Sequence, residues 1–538
     1  MSKSVKIIAL LAAVLMLLPL AACTKPAASS DAESKKEATA TATAAASTET
    51  KPAEGSDKPV INETFGGEDI RFFVNGSDGS LNLRSIVIGE NDDPDYEVNA
   101  KVKERNDLVE NELDVHIVLS EHKGMMDSAE FLRPILSSKL DTYDILALYQ
   151  YFDLGLALGD TVGSFYNYLN MPEGSYINVE APYWNKSLFE TLEYKNVAFF
   201  ITGDISQSTT GTMFVSYVNA TMWDQYKDTI ATLKNNPNGY TSIYDIVKNG
   251  YWTMDLWCEL SAMPYEDLNN DDKVNYGDRL GLVVYSEMTD CNMTDFFAAG
   301  ADVHYSTYDS NGTPVITINN EKNVAFFEKL YTLFCESKAA QIPWNFTTTA
   351  DGEDPYIMDA FAEGNILLTV NQLCYAEESL ADMTDDYYIM PVPLFDHDQF
   401  DASSPSLGYK TQLFDSVSQF AICTAAGDDR IPAITATMEL MGYYSMKLVT
   451  PAYYDKALKE RYTRNLEDAQ IIDMIHAGIY ADFAVLWSNK LDNVTWFARN
   501  NHTNLSKIAR LLKQEQDKKA RKLSSLLTQL EEAFYVET

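Results

Sequence analysis

From Asp69 onward the chain alternates short apolar runs with longer stretches whose apolar residues recur at helical spacing. That rhythm narrows the choice to α/β architecture, because parallel strands need crossovers of about a dozen residues or more and helices supply them. Ile70–Val74 (IRFFV) reads as a strand, and Val98, Val102, Val109 and Leu113 share one face of a helix through NAKVKERNDLVENEL. Val115–Leu119 is a second strand, Phe131–Leu140 a helix bent at Pro134, and Tyr143–Leu148 a third strand. Val197–Thr202 and Met213–Val218 read as two consecutive strands around the polar segment GDISQSTTG. Helix patterns follow at Ala220–Tyr226, at Thr241–Lys248 and after Trp252, with further strands at Leu280–Tyr285, Val315–Ile318 and Ile366–Val370. Asn323–Cys335 carries a helical stripe of Val324, Phe327, Leu330, Tyr331 and Phe334. The last third is helical over Ile431–Met446, Tyr453–Arg461, Leu466–His476 and Leu505–Phe534, and no repeat of solenoid period appears.

Ahead of this body stand Lys3 and Lys6, an apolar run from Ile7 to Leu20, and then Leu20-Ala21-Ala22-Cys23. A short basic head, an apolar stretch below the ~20 residues of a membrane span, and small residues before a cut site make an export signal. The segment resembles the bacterial lipobox, which implies a diacylglyceryl group on Cys23 as the new N-terminus; the alternative is a plain signal with an incidental cysteine. Residues 24–58 hold only Ala, Ser, Thr, Lys, Glu, Asp, Pro and Gly, too little apolar surface to offset ordering entropy. As a coil such a tether reaches roughly 30 Å. The expected location is therefore the extracytoplasmic face of the cell membrane. The formal charge of −38 disfavours nucleic acid and anionic headgroups and leaves neutral or cationic ligands as partners. Cys258, Cys291, Cys335, Cys374 and Cys423 are widely spaced and odd in number, which is no dense disulfide framework; most are expected to be buried as small apolar side chains, with room for one bridge whose partners the sequence does not assign.

Several segments in order resemble the extracellular solute-binding proteins of bacterial ABC importers, in the group related to the sugar binders. They are NAKVKERNDLVENELDVHI, YDILALYQYFDLGLAL, APYWNKSLFETLEYKNVAFFITGDIS with FVSYVNATMWDQY, VKNGYWTMDLWCELS, and FAEGNILLTVNQLCYAEESL ending in MPVPLFD. The resemblance covers most of residues 65–450 and least of the helical tail past Pro451. It implies an α/β, two-lobed, periplasmic-binding-protein-like fold (type II) with hinge strands and a helical C-terminal extension. The expected division is a signal at 1–22 and a tether at 23–62. Lobe 1 would then be 63–208 with 365–412, and lobe 2 would be 209–364 with 413–538. The implied partners are a polar solute, an oligosaccharide first, and the permease subunits that receive it.

A sugar presents apolar C–H faces and a fringe of hydroxyls, matched by aromatic rings and by amides or carboxylates. Tyr149, Tyr151 and Asp153 follow a strand's carboxyl end; the tyrosines either touch solute or pack the lobe. Trp184 is a cleft-wall or a core residue, and Asp204 in GDIS accepts hydroxyl hydrogens or forms a cap or hinge turn. Asn371 and Gln372 follow the strand ILLTV, with Tyr375 close behind. Trp252 and Trp257 lie five apart and face different directions on a helix, so one of them is core; Trp252 joins the candidate wall. Trp344, Trp487 and Trp496 are weaker candidates for platforms.

DLNNDDKVNYGD, residues 267–278, places oxygen-bearing side chains at positions 1, 3, 5, 9 and 12 of a twelve-residue loop. EF-hand-type calcium loops use that spacing, with the seventh residue giving its carbonyl. Asp267, Asn269, Asp271, Asn275 and Asp278 would then donate side chains and Lys273 its backbone, in a structural calcium site or else a solvated acidic loop. The loop resembles those of dockerins, but Asp272 stands where glycine is expected and must take a left-handed conformation. No G-x-S-x-G, H-E-x-x-H, G-x-G-x-x-G or P-loop motif occurs, and the histidines at 116, 122, 304, 397, 476 and 502 lack ligand spacing. The expected protein binds its solute without altering it. A secreted carbohydrate-active hydrolase and a ligand sensor on the same two-lobed fold are the competing readings.

Overall fold

The computed structural model describes residues 58–75, 97–124, 127–274, 278–285, 293–342, 357–380, 383–459 and 466–534. The export signal, Cys23 and nearly all of the tether lie outside these residues. Two sheets organise the body. The first has the order β11-β3-β1-β2, from β1 (Glu68–Asn75), β2 (Val115–His122), β3 (Ile145–Tyr149) and β11 (Ser418–Ile422). In it β1 pairs parallel with β2 and β3, while β11 runs antiparallel to β3. The second contains β4 (Phe214–Asn219), β5 (Leu280–Tyr285), β8 (Ala340–Ile342), β9 (Ile366–Gln372) and β10 (Tyr387–Met390), in the order β10-β4-β9-β5-β8. Here β5 pairs parallel with β8 and β9, and β4 runs against both β9 and β10. A small antiparallel ribbon, β6 (Ser306–Tyr308) with β7 (Pro314–Ile316), stands apart from both.

The helical face expected for the first crossover is realised in helix Glu97–Leu113, where Val98, Val102, Val109 and Leu113 are all fully buried. On the same helix the buried Arg105 donates to the Ile205 carbonyl (3.1 Å) and the Ser445 hydroxyl (3.0 Å), and burial lowers its pKa to about 9. At the far end of the first sheet, the buried carboxylate of Asp144 binds Arg71 (2.7 Å) and Arg430. This joins β1, the entry to β3 and the helix Ile431–Tyr444 that follows β11.

Strand pairing divides the lobes differently from the expectation. β9 and β10, within 365–412, belong to the second sheet, whereas β11 and helix Ile431–Tyr444, within 413–538, belong to the first lobe. Every residue of β9 is buried, so its apolar text carries no mark of which sheet it enters. The return crossing lies later, where Met213 bridges Leu413 and Ile201 bridges Phe420. Those two bridges are isolated, so Val197–Thr202 is a crossing segment rather than a ladder strand. A third crossing follows helix Ile431–Tyr444 through a π-turn (Ser445–Val449) and helix Thr450–Lys459 to helix Leu466–Ala477, which packs on β10.

The C-terminal extension is anchored on the second lobe. The buried pair Arg499–Asp295 (2.7 Å) ties helix Trp496–Asn501 to helix Met293–Gly300. The Asp482 carboxylate accepts from the backbone N–H of Tyr305 and Ser306 at 3.0 Å each. Helix Ile508–Phe534 lies along β7 and helix Glu321–Tyr331, with Leu523, Leu526 and Leu530 buried. Among the described residues no helix is long and apolar enough to cross a membrane. Cys374 and Cys423 are buried as expected, but Cys335 is exposed.

Asp295→Ala strands the Arg499 guanidinium in the interior, and is expected to cost about 3–5 kcal/mol. Replacing both partners with Leu and Met should recover most of that loss. Thermal and urea unfolding of the three proteins checks this, and a wild-type midpoint for Asp295→Ala would contradict it.

Candidate functional site

In open α/β sheets ligands bind beyond the carboxyl ends of the strands. On the first lobe β3 ends at Tyr149 and turns at once into the short helix Gln150–Asp153. Asp153 makes that turn. Its buried carboxylate accepts from the Tyr149 N–H (2.9 Å), the Ser128 hydroxyl (2.7 Å) and the Asn75 amide (3.3 Å). Burial outweighs these donors and raises its pKa to about 6. Asp153 is thus committed to bonds inside the lobe, whereas the sequence placed it among the candidate solute contacts. Tyr149 is also buried: its ring lies 5.1 Å from that of Phe152 and its hydroxyl donates to Asp415 (3.2 Å). Tyr151 is half-exposed, with its ring edge-on to Phe152, and is the tyrosine of the two that presents a surface.

Asn371 and Gln372 close β9, on the second lobe. Both are 4% exposed, yet neither Asn371 Nδ2 nor Gln372 Oε1 has a protein partner among the described residues. Among the other buried atoms in this condition, Gln207 Nε2 lies on the first crossing and Ser416 Oγ on the second, while Trp257 Nε1 and Trp487 Nε1 lie elsewhere. The backbone brings these segments together. Phe214 pairs with Gln372, the Gly211 N–H donates to the Gln207 carbonyl (2.7 Å), and the Tyr151 N–H donates to the Asp415 carbonyl (3.1 Å). A desolvated donor or acceptor left unpaired costs about 1–3 kcal/mol, so such a cluster is stable where a polar guest supplies the bonds. Gln207 and Ser416 escaped the sequence reading; the signal available for Gln207 was the polar character of GDISQSTTG between two apolar runs.

The other candidates sit elsewhere. Tyr375 is buried at the start of the short helix Tyr375–Glu378 and is a packing residue. Trp252 is fully buried, its indole N–H donating to the Pro391 carbonyl (2.7 Å) and its ring set against Trp223 and Trp257. It belongs to the core of the second lobe, as does Trp257. Trp487 is buried, Trp496 half-buried, and Trp344 lies outside the described residues. Trp184 is buried with its indole N–H on Glu439 (2.9 Å), a carboxylate that also accepts from the Tyr183 hydroxyl and the Asn178 N–H. That arrangement locks helix Ile431–Tyr444 to the first lobe.

Trp184 does meet Asp204, at a cavity of about 250 Å³ bounded also by Asn185, Gly203, His476 and Ile479. Gly203 is required there, since a Cβ would stand 2.0 Å from the Tyr183 carbonyl oxygen. Asp204 accepts from the Thr450 hydroxyl (2.9 Å), linking the first and third crossings, and burial raises its pKa to about 7. Burial likewise lowers that of His476. Asp204 thus sits where the first and third crossings meet.

In the acidic loop, Asp267 accepts from the N–H groups of Asn270 (2.6 Å) and Asp272 (3.0 Å), and Asp271 accepts from that of Lys273 (2.8 Å). Asp278 is buried and accepts from the Leu268 N–H (3.2 Å). Asp272 adopts φ 59°, the left-handed conformation required at the glycine position. Asn275 lies outside the described residues, and among those described no group of three or more Asp, Glu, His or Cys side chains is placed to hold a metal.

No protein-family model matches the chain. No curated protein matches it either. Solved structures do. A cyclo/maltodextrin-binding protein complexed with maltotetraose is 11% identical with a TM-score of 0.50, over 87% of this chain and 99% of the other. A cyclic alpha-maltosyl-1,6-maltose binding protein from Arthrobacter globiformis is 11% identical with a TM-score of 0.52, over 86% of this chain and 99% of the other. The chain therefore has the two-lobed fold of solute-binding proteins, extended by C-terminal helices.

Raising the folded pKa of Asp204 above the ordinary carboxylate value means the folded state holds its proton longer than the unfolded chain does. Its contribution to stability is fullest below about pH 4 and declines as the pH climbs to about 7. Asp204→Asn should flatten that decline, so that the variant gains on wild type at pH 7.5 and not at pH 4. Melting curves across this range check the sign, and parallel profiles would refute it.

Proposed function

We propose that this protein is a lipid-anchored, extracytoplasmic solute-binding protein of an ABC importer that captures an uncharged polar solute, an oligosaccharide, between its lobes. The observation that carries this reading is the set of buried, unpaired amide and hydroxyl atoms on Asn371, Gln372, Gln207 and Ser416, where the crossings meet the end of β9. Planar amides give and accept hydrogen bonds in the pattern of sugar hydroxyls, and the half-exposed Tyr151 offers an apolar face beside them. The formal charge of −38 weighs against anionic solutes. Two proteins that share the fold are named for binding maltodextrin and cyclic maltosyl-maltose, which supports the choice of carbohydrate. On this reading Cys23 carries the lipid, the closed form is what permease subunits recognise, and the solute leaves chemically unchanged.

The sequence of the 267–278 loop supplies calcium-type donors, and on this reading Asp267, Asn269, Asp271, Asn275, Asp278 and the Lys273 carbonyl would hold a structural calcium ion, although the described carboxylates are not gathered as a metal site.

Thermal-shift screening of maltodextrins against a peptide panel tests the solute class. A ligand at about 100 times its Kd adds about 2.7 kcal/mol of stability. Asn371→Ala and Gln372→Ala should each weaken binding about 5- to 100-fold by calorimetry. Shifts from peptides alone would overturn the carbohydrate assignment, as would recovery of cleaved sugar by mass spectrometry for simple capture. Calcium titration of the chelator-treated protein should release heat and raise the melting temperature, with both effects lost in Asp267→Ala; a flat titration removes calcium from the account.

A further inference from the structure

The hinge strands are not all that joins the lobes. The loop that carries Asn489 and Asn493 is rooted on the second lobe by Arg499–Asp295 and Asp482, and it reaches the first lobe at Tyr151. There the Tyr151 hydroxyl donates to Asn493 Oδ1 (2.7 Å) and the Asn489 amide donates to the Tyr151 carbonyl (3.0 Å). The loop is held in shape for this contact. Asp492 and Asn493 both take left-handed backbone, φ 59° and 55°, a conformation Asp and Asn tolerate best among residues with a side chain. The Asn493 N–H closes the turn on the Ser488 carbonyl (2.7 Å), and Lys518 and Lys519 from the last helix pair with Asp492. A second contact lies further along that helix. Gln516 bonds the Asn319 N–H (3.1 Å) and the Ile316 carbonyl on the second lobe. Four turns later, Glu531 accepts from the Tyr194 hydroxyl (3.0 Å) and pairs with Lys195 (2.5 Å) on the first.

We infer that the C-terminal extension is a clasp across the cleft. Asn489 and Asn493 act as positioning residues that hold Tyr151 and the closed form together, and Glu531 supplies a second hold away from the cleft. Its purpose rests on the solute-capture reading, but its existence is measurable without solute. Small-angle scattering of the ligand-free full chain should show a larger radius of gyration for Asn493→Ala, Asn489→Ala and Glu531→Gln, with unchanged circular dichroism. Stopped-flow binding of maltotetraose as the probe should show dissociation two- to tenfold faster for each bond lost and association unaltered. Glu531→Gln matters most, because that residue's partners, Tyr194 and Lys195, are not among the proposed solute contacts; should Asn493→Ala fail to fold, it and Asn489→Ala carry the test. Scattering profiles that superimpose on wild type for all folded variants overturn the clasp, and maltotetraose binding in the same samples would leave solute capture standing. Altered scattering with no response to maltotetraose supports the clasp and removes that solute.

Discussion

Backbone pairing where the chain crosses between lobes organises everything else in the molecule. The Phe214 N–H meets the Gln412 carbonyl, the Phe414 N–H the Thr212 carbonyl, and Ile201 and Phe420 exchange both their bonds. Two antiparallel segments lying side by side satisfy each other's amides in a region too buried for water to do so. They also dictate direction. The segment leaving the first lobe enters the second sheet as β4, against β9, and the returning one enters the first as β11, against β3. Each sheet therefore presents its parallel strands' carboxyl ends toward the crossing.

That geometry separates two kinds of buried polar group. Asp144, Asp153, Asp295 and Glu439 each have donors from elements distant in sequence, and each holds the scaffold. Asn371, Gln372, Gln207 and Ser416 have atoms with no such donor or acceptor among the described residues and lie in or beside the crossing, although Trp257 and Trp487 share that condition elsewhere. A scaffold rigid from the first set is what allows the second to remain unpaired, since relaxation toward local partners would otherwise remove the penalty. Asp204 belongs to the first set in position but carries a single side-chain bond, which is why burial dominates its protonation.

Local periodicity made much of the fold legible. The buried quartet of helix Glu97–Leu113, the three parallel strands of the first lobe and the longer helices of the last third follow from apolar spacing, whereas β11 and the short helices Phe483–Leu486 and Trp496–Asn501 were not read from it. The division into lobes did not, because β9 is apolar on both faces and such a strand fits either sheet. The site was legible only in part. Asn371 and Gln372 stand out as polar residues directly after an apolar strand. Trp252 and Tyr375 looked equally suitable, but an aromatic ring reads the same whether it faces solvent or a neighbouring Trp223.

The sequence alone determined the α/β alternation, the acidic charge and the polar crossing segment, since each is a property of neighbouring residues. The tertiary structure decided which sheet received each strand, which carboxylates were spent on the scaffold, and that residues 489–493 meet Tyr151. Those outcomes depend on contacts between residues hundreds of positions apart, and no local pattern encodes the direction from which a distant partner arrives.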